Sequence, residues 1–403
     1  MDRMLRSDEA ARRLGVKVTT LYAYVSRGLL ASHPEPGGRH SLFSVDDVER
    51  LARRSRHGKT VETRMATITT AITQLTGHGP LYRGVPAADL ATTASYEEVA
   101  GLLWAVPDGT DAAACWETSD LGPAPALAAG DRLRWAVVMA GGTDPLRSDL
   151  RPRAVVRVAR RIVVAMVAAL EVPAAAPAGA APPRLVLDGG RIVEDSIAGR
   201  IAARLSPSPS EELVRACNAA LVLLADHELA TSTVAARVAA SVRADTYDVV
   251  LAGLGTLGGR LHGGASRSVH SLLVQAATVG VEQAVADALR YHGLLPGFGH
   301  PVYETGDARF GVLDGLFRAL ATAEERHLVH SLLDLAAGAD LPPPNVDLGL
   351  AAVVWAAGLP PDAGQTIFTV ARVSGWVAHL LEELDEAPLR YRARAVYSTP
   401  GRA

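Results

Sequence analysis

Apolar positions along this chain mostly recur at three- and four-residue intervals, which predicts a mainly α protein built from amphipathic helices. Near the start, Ala10, Ala11 and Leu14 mark the inner face of a helix that Ser7 can cap, with Asp8 and Glu9 in its first turn and Gly15 at its end. A second helix fits Val18 to Arg27 and stops at Gly28, which is helix-turn-helix spacing. Pro36-Gly-Gly-Arg39 reads as a turn-forming tip, followed by a short extended piece from His40 to Phe43. Ser44-Val-Asp-Asp47 then offers a capping box to a third helix through Val48 and Leu51. This first unit spans residues 1–56, and a solvated linker, 57–64, follows it.

Beyond the linker, Ser95 begins a capped helix whose apolar face carries Val99, Leu102 and Leu103, and helical patterning continues to about Glu171. Val172 to Pro183 is nearly all Ala and Pro and reads as a loop insertion. Periodicity resumes at Ala198 and runs through Arg215 to Ala240. Gly253-Leu-Gly-Thr-Leu-Gly258 has the form G-x-G-x-x-G, but a dinucleotide site needs a strand before it and a βαβ unit around it. The flanking segments read as helix, so these glycines are expected to permit close backbone packing beside His262.

Composition supports the helical reading, with 49% hydrophobic but only 5% aromatic residues in a chain of 403. Charge is uneven. The first 60 residues hold 12 basic and 7 acidic groups, so a basic head precedes an acidic body. Cys115 and Cys217 form no C-x-x-C pair, so neither a disulfide framework nor a zinc site is indicated. The N-terminus is charged from Asp2 onward, and the longest apolar runs, such as Ile162 to Leu170, are far shorter than a membrane helix needs. A cytoplasmic protein without a membrane partner or a bound metal is expected.

Three short stretches carry the chemistry: Leu261-His-Gly-Gly-Ala265, Gly297-Phe-Gly-His300 and Pro344-Asn-Val-Asp347. Each delivers one proton-handling side chain from glycine- or proline-marked backbone. Two histidines, a carboxylate and nearby arginines suit enolisation next to a carbonyl. Taken singly, His262 or His300 could be an ordinary core histidine, Asp347 a helix cap and Arg309 a surface ion pair.

Together with Leu81-Tyr-Arg-Gly84, Asp226-His-Glu228, the full run Gly297 to Tyr303, Val370 to His379 and the tail Arg392 to Tyr397, these stretches resemble the citrate synthase family in order and spacing. The resemblance covers about residues 65–400. It implies a large domain (65–262 and 353–403), a small domain (263–352) and a homodimer. It also implies condensation of acetyl-CoA with oxaloacetate, with no cofactor beyond the acyl-CoA substrate. By the same resemblance Asp347 is the base, His262 stabilises the enolate and His300 polarises the ketone. His227, Arg309 and Arg372 would hold the substrate carboxylates, Arg392 would act in the other subunit, and Leu295, Pro296, Gly297, Phe298 and Gly299 would meet CoA.

Several positions depart from the family pattern, among them Leu224 before Asp-His-Glu, Ser266, Pro301, Glu304 and Ala308, but none removes a catalytic group. Synthesis of 2-methylcitrate from propionyl-CoA differs only in the acyl pocket and is the alternative chemistry. The head resembles the winged helix-turn-helix of the mercury-resistance-regulator and excisionase families. That likeness would direct Thr19, Thr20, Tyr22 and Arg27 at double-stranded DNA and Arg39 at its backbone, giving a metabolite-sensing regulator. A docking or dimerisation module would share the same pattern.

Overall fold

The computed structural model describes residues 4–14, 21, 25, 30, 32–34, 41–45, 47, 48, 68–77, 79–105, 116, 121, 122, 124–176, 179, 181–259 and 262–392. Two compact units divide at Thr69 and Thr70. The first contains β1 (Met4–Arg6), α1 (Ser7–Leu14), β2 (His33–Pro34) and β3 (Ser41–Ser44). Helix α1 buries Ala10, Ala11 and Leu14, the face expected from their spacing. The extended piece after the turn-forming tip becomes the middle strand of an antiparallel sheet ordered β1-β3-β2. Its Phe43 pairs with Leu5 and joins Ala10, Leu14, Leu21, Leu30 and Val48 in a small core. Strand β1 was not evident in the sequence, because three residues are too few to show alternation. The expected linker, residues 57–64, lies outside the described residues.

The second unit opens with a small antiparallel sheet of β4 (Thr73–Thr76), β5 (Gly79–Tyr82) and β6 (Val85–Pro86). Arg83 and Gly84, with φ of +48° and +87°, make the two-residue turn of the last hairpin. Arg83 folds back to donate to the Leu103 carbonyl at 2.7 Å, so it closes a helix end and does not face the site described below. Helices α2 (Ala87–Thr93), α3 (Tyr96–Trp104), α4 (Ala129–Gly142) and α5 (Pro152–Ala168) follow. The Ser95–Glu98 capping box at the start of α3 is fully formed. Among the described residues of 172–183 there is no helix, as the Ala/Pro composition predicts.

After a two-stranded sheet of β7 (Leu185–Val186) and β8 (Ile192–Val193) come α6 (Ile197–Leu205), α7 (Glu211–Leu223), α8 (Thr231–Ser241) and α9 (Thr246–Leu257). Then follow α10 (Ala265–Val279), α11 (Val281–His292), α12 (Ala308–Leu320), α13 (Ala323–Gly338), α14 (Val346–Ala356) and the 22-residue α15 (Ala363–Leu384). Helix α15 lies against α3, α5, α7, α8 and α9, and its Ile367, Val370, Val373, Trp376 and Val377 are in the main core. A second core joins α10, α11, α13 and the other face of α14 through Val269, Leu273, Val285, Leu332 and Leu348. Helix α14 thus has apolar residues all round, as a helix wedged between two cores requires.

The G-x-G-x-x-G run proves helical, with Gly253 inside α9 and Gly258 at its end. A Cβ on Gly253 would lie 2.6 Å from the Trp376 ring, so this glycine lets α9 and α15 approach closely. Replacing Gly253 by Ala should therefore destabilise the protein by about 1–3 kcal/mol through overpacking. Gly311, exposed on α12 with nothing near its Cβ position, should tolerate Ala with a gain of about 0.5–1 kcal/mol. Thermal denaturation of the two variants checks the pair, and a Gly253→Ala protein as stable as the parent would contradict the packing argument.

Candidate active site

Two buried arginines form the floor of the site. Arg309, in the first turn of α12, and Arg372, in the middle of α15, are 3% and 2% exposed. Asp307 grips Arg309 in a two-point fork, Oδ1 accepting from Nε at 2.9 Å and Oδ2 from Nη2 at 2.8 Å. The same carboxylate accepts the backbone N–H groups of Arg309 and Val346, at 3.1 and 3.0 Å, and so ties the start of α12 to the start of α14. Arg372 donates Nε to the Leu224 carbonyl at 2.8 Å, while its Nη1 is buried with no hydrogen-bond partner among the described residues. Leaving such a donor unmet costs about 1–3 kcal/mol, a penalty that an anionic ligand would relieve.

His227, in the turn after α7, stands over this floor with His300 and Tyr303. The two imidazoles meet edge to face at 5.3 Å, the Tyr303 ring stacks on His300 at 4.5 Å, and the Tyr303 hydroxyl is 2.8 Å from His227 Nε2. Burial pushes both histidines below their ordinary range, and the charge of Arg309 adds to the effect. The backbone N–H of Val302 donates to His300 Nδ1 at 3.1 Å. That nitrogen therefore carries the lone pair, and the proton of the neutral ring sits on Nε2.

His262 is held in the opposite tautomer. Its Nε2 is 2.9 Å from Ser232 Oγ and 3.4 Å from the Ser232 backbone N–H, which can only donate. Trp376 donates to the same Oγ at 3.3 Å, leaving the hydroxyl proton for His262. The imidazole proton accordingly sits on Nδ1. Burial, then the charge of Arg372, lowers the pKa of this ring as well. Phe368 links the groups, its ring edge-on to His262 at 6.3 Å and lying 4.7 Å from the guanidinium carbon of Arg372.

Asp347 is the second residue of α14, where Asn345 supplies the cap by accepting its backbone N–H at 3.0 Å. A helix N-terminus favours a carboxylate. Burial outweighs that preference and the opposing charge of Arg309, and pushes Asp347 up to about 6. The carboxyl opens on a cavity of about 670 Å³ also lined by Ala265, Leu295, Pro296, Gly297 and Phe298. Gly299 donates to Pro343 O at 2.7 Å and Asn345 donates to Gly297 O at 2.9 Å, lacing this loop to the segment that leads into Asp347. Gly297 and Gly299 have φ of +85° and +79°, and a Cβ on Gly297 would lie 3.1 Å from Leu348 and Val269 atoms.

Most residues expected from the sequence thus converge. His227, His300, Arg309 and Arg372 form one cluster, His262 adjoins it through Phe368, and Asp347 lies within the field of Arg309. Leu295 to Phe298 line the cavity, and Gly299 anchors their loop. Arg392 is exposed and makes none of the contacts that join the others among the described residues. Thr19, Thr20, Tyr22, Arg27 and Arg39 lie outside the described residues. The sequence reading missed Asp307, Tyr303 and Ser232. Asp307 could have been found from its place two residues before Arg309 at a helix start, and Tyr303 from its place in the Gly297 to Tyr303 run; Ser232 carries no such local signal.

No group of three or more His, Cys, Asp or Glu side chains among the described residues could hold a metal ion. No helix among them is long and apolar enough to cross a membrane.

Comparison with known proteins bears on this geometry. Residues 119–394 match the citrate synthase C-terminal domain family, and residues 4–56 match a helix-turn-helix domain family. Citrate synthase 2 of Bacillus subtilis is 39% identical over 199 residues, 48% of this chain and 53% of that protein. The 2-methylcitrate synthase 1 of Corynebacterium glutamicum is 32% identical over 189 residues, 46% of this chain and 50% of that one. The chain therefore spans about half the length of each of these two relatives. The citrate synthase of Haloferax volcanii matches further, 33% identical over 350 residues, 79% of this chain and 89% of that protein.

Among solved structures, citrate synthase from Thermotoga maritima superposes with a TM-score of 0.66 at 25% identity, over 84% of this chain and 95% of that one. The Thermoplasma acidophilum enzyme, in its ternary complex with carboxymethyl coenzyme A and oxaloacetate, gives 0.64 at 25% identity over 84% and 96%. With helical architecture, family match and a near full-length relative in agreement, this chain belongs to the citrate synthase family and has the fold of its enzymes.

Proposed function

We propose that this chain condenses an acyl-CoA, acetyl-CoA in the first instance, with oxaloacetate to give citrate and CoA. The observation that carries the reading is the pairing of a carboxyl raised to about 6, Asp347, with two neutral imidazoles whose free N–H groups are fixed on opposite ring nitrogens. A base of raised pKa is matched to proton abstraction from a weak carbon acid. Asp347 removes a methyl proton while His262 Nδ1–H stabilises the developing enolate oxygen. The enolate carbon then attacks the oxaloacetate ketone, which His300 Nε2–H polarises, and a carbon–carbon bond forms. Water hydrolyses the resulting citryl thioester and releases CoA.

Oxaloacetate is a dianion, and the buried guanidinium groups of Arg309 and Arg372, with His227, would neutralise its carboxylates. Arg372 Nη1, buried and unmet, supports that assignment. Arg392 would approach from a second subunit, consistent with its exposure. The two apolar cores support a division into a large part, residues 65–262 and 353–403, and a small part, 263–352, that meet at the site. Loop 295–299 would receive the CoA adenine beside the cavity. Propionyl-CoA is the alternative acyl donor, since relatives of both kinds match, and one methylene shifts discrimination by only about 1–3 kcal/mol.

A second reading concerns the head, for which the helix-turn-helix match over residues 4–56 is the supporting observation. Operator binding through Thr19, Thr20, Tyr22, Arg27 and Arg39 would let a metabolite-binding body report to DNA.

Thiol release measured with acetyl-CoA and with propionyl-CoA should show turnover with at least one, preferring acetyl-CoA. Asp347→Ala should lower kcat by about 10²–10⁴-fold. Release of CoA from neither thioester would refute the assignment. The pH profile should have a single acidic limb. Rate should rise with pH as Asp347 ionises near about 6, then level off, because His262 and His300, held below their ordinary range, only become more fully neutral as pH rises. A rate that falls as pH rises from 5 to 7, in round values of about those pH units, would contradict Asp347 as base. For the head, duplex binding should weaken with salt, change with oxaloacetate or acyl-CoA, and be lost in the Arg27→Ala, Arg39→Ala double variant. Equal binding by that variant would exclude the DNA contact.

A further inference from the structure

Behind the substrate-facing groups runs a buried polar chain that the condensation does not use. It starts at Asp226, the neighbour of His227, which is fully buried and accepts the Glu228 backbone N–H at 3.0 Å on Oδ2. Its Oδ1 lies 3.5 Å from Nε2 of His379, longer than a well-formed hydrogen bond, and neither atom has another partner among the described residues. On the other side of that imidazole, Arg237 Nη1 donates to Nδ1 at 2.7 Å. A guanidinium has no acceptor, so Nδ1 holds the lone pair and the ring directs Nε2–H at Asp226. Gly375 makes the approach possible, because a Cβ there would lie 2.3 Å from Asp226 Oδ1.

From Arg237 the chain continues outward. Nη1 donates to Glu382 at 2.6 Å, and Nε donates to Glu383 at 2.9 Å and to the Tyr391 hydroxyl at 3.2 Å. Glu383, fully buried, takes a fork from Arg390, 2.7 Å from Nε and 2.6 Å from Nη2, and also the Tyr391 hydroxyl proton at 3.0 Å. Those two residues immediately precede Arg392. The contacts span α8, α15, the His227 turn and the start of the tail. A core selected for stability alone would favour apolar side chains here, since desolvating charges offsets much of their attraction. Fixed bond directions are what the charges add.

We propose that Arg237 and His379 are positioning residues that hold the His227 turn and the Arg390–Arg392 segment in register, so that one buried core sets the His227 side of its own dicarboxylate site and the arginine it lends to the second subunit's. The inference rests on the oxaloacetate-binding reading above. Charge matching supports it: the acids Asp226, Glu382 and Glu383 face Arg237, Arg390 and, on the site side, Arg372. Arg372 lies close enough to favour the charged form of Asp226 against its burial. The same carboxylate thus contacts the chain and lies in the field of a substrate-facing arginine.

The test compares His379→Phe, which removes both ring contacts, with His379→Gln, whose amide offers an acceptor to Arg237 and a donor to Asp226. In the full-length protein, His379→Phe should raise the oxaloacetate KM about tenfold or more, leave the acyl-CoA KM within about twofold, and speed tryptic cleavage after Arg390, which Glu383 holds in the parent. His379→Gln should restore both readouts. A folded His379→Phe protein with parental oxaloacetate KM and tail protection would overturn the proposal. If that variant does not fold, Arg237→Lys, which keeps the charge but cannot span His379 and Glu383 together, decides by the same two readouts. Tail loosening in a protein whose parent turns over no acyl-CoA would sink the proposed activity while leaving the anchoring intact.

Discussion

One buried carboxylate organises the candidate site. Asp307 fixes the Arg309 guanidinium, caps its own helix and accepts the first N–H of α14, all with the same two oxygens. Three requirements meet there. The Arg309 guanidinium needs a defined direction, the helix carrying Asp347 needs a defined origin, and neither charge can stay buried alone. Breaking a buried pair by removing one partner typically costs 3–5 kcal/mol, roughly, because the survivor remains desolvated. The geometry of Asp347 relative to Arg309 is therefore set by an interaction the protein cannot easily lose.

The same burial sets the protonation states. Arg309 and Arg372 lie in a region closed to water, and the histidines beside them are pushed toward neutrality by desolvation and by those positive charges. A neutral imidazole has one N–H and one lone pair, so a single backbone or hydroxyl contact decides which nitrogen points at a ligand. Val302 decides it for His300, and Ser232, steadied by Trp376, decides it for His262. Asp347 responds in the opposite sense, since desolvation disfavours its charged form too, and its carboxyl rises while the imidazoles fall.

Packing carries these settings back to the core. Gly253 admits Trp376, Trp376 holds Ser232, and Ser232 orients His262, so a helix–helix contact governs a tautomer. On the other side, Gly297 passes under Leu348 in a left-handed conformation and brings its loop against the start of α14. Glycines legible only as punctuation in the sequence act as spacers between specific partners.

The sequence by itself determined the helical class, the helix-turn-helix pattern of the head and the break at the Ala/Pro segment, and it picked out His227, His262, His300, Arg309, Arg372 and Asp347, which the fold brings together. Those features are written locally, in three- to four-residue spacing, in caps and in short ordered motifs. Ser232, Asp307 and the chain through Arg237 and His379 were not legible, because each acts on a partner far along the chain or on backbone groups that no motif names. Only tertiary structure could decide which ring nitrogen of each histidine is free and how strongly Asp347 is desolvated. The His262 tautomer depends on Ser232 and Trp376 from two helices, the His300 tautomer on how its loop folds back, and the rise of Asp347 on what packs round the start of α14, so direction and dielectric, more than residue type, fix the chemistry.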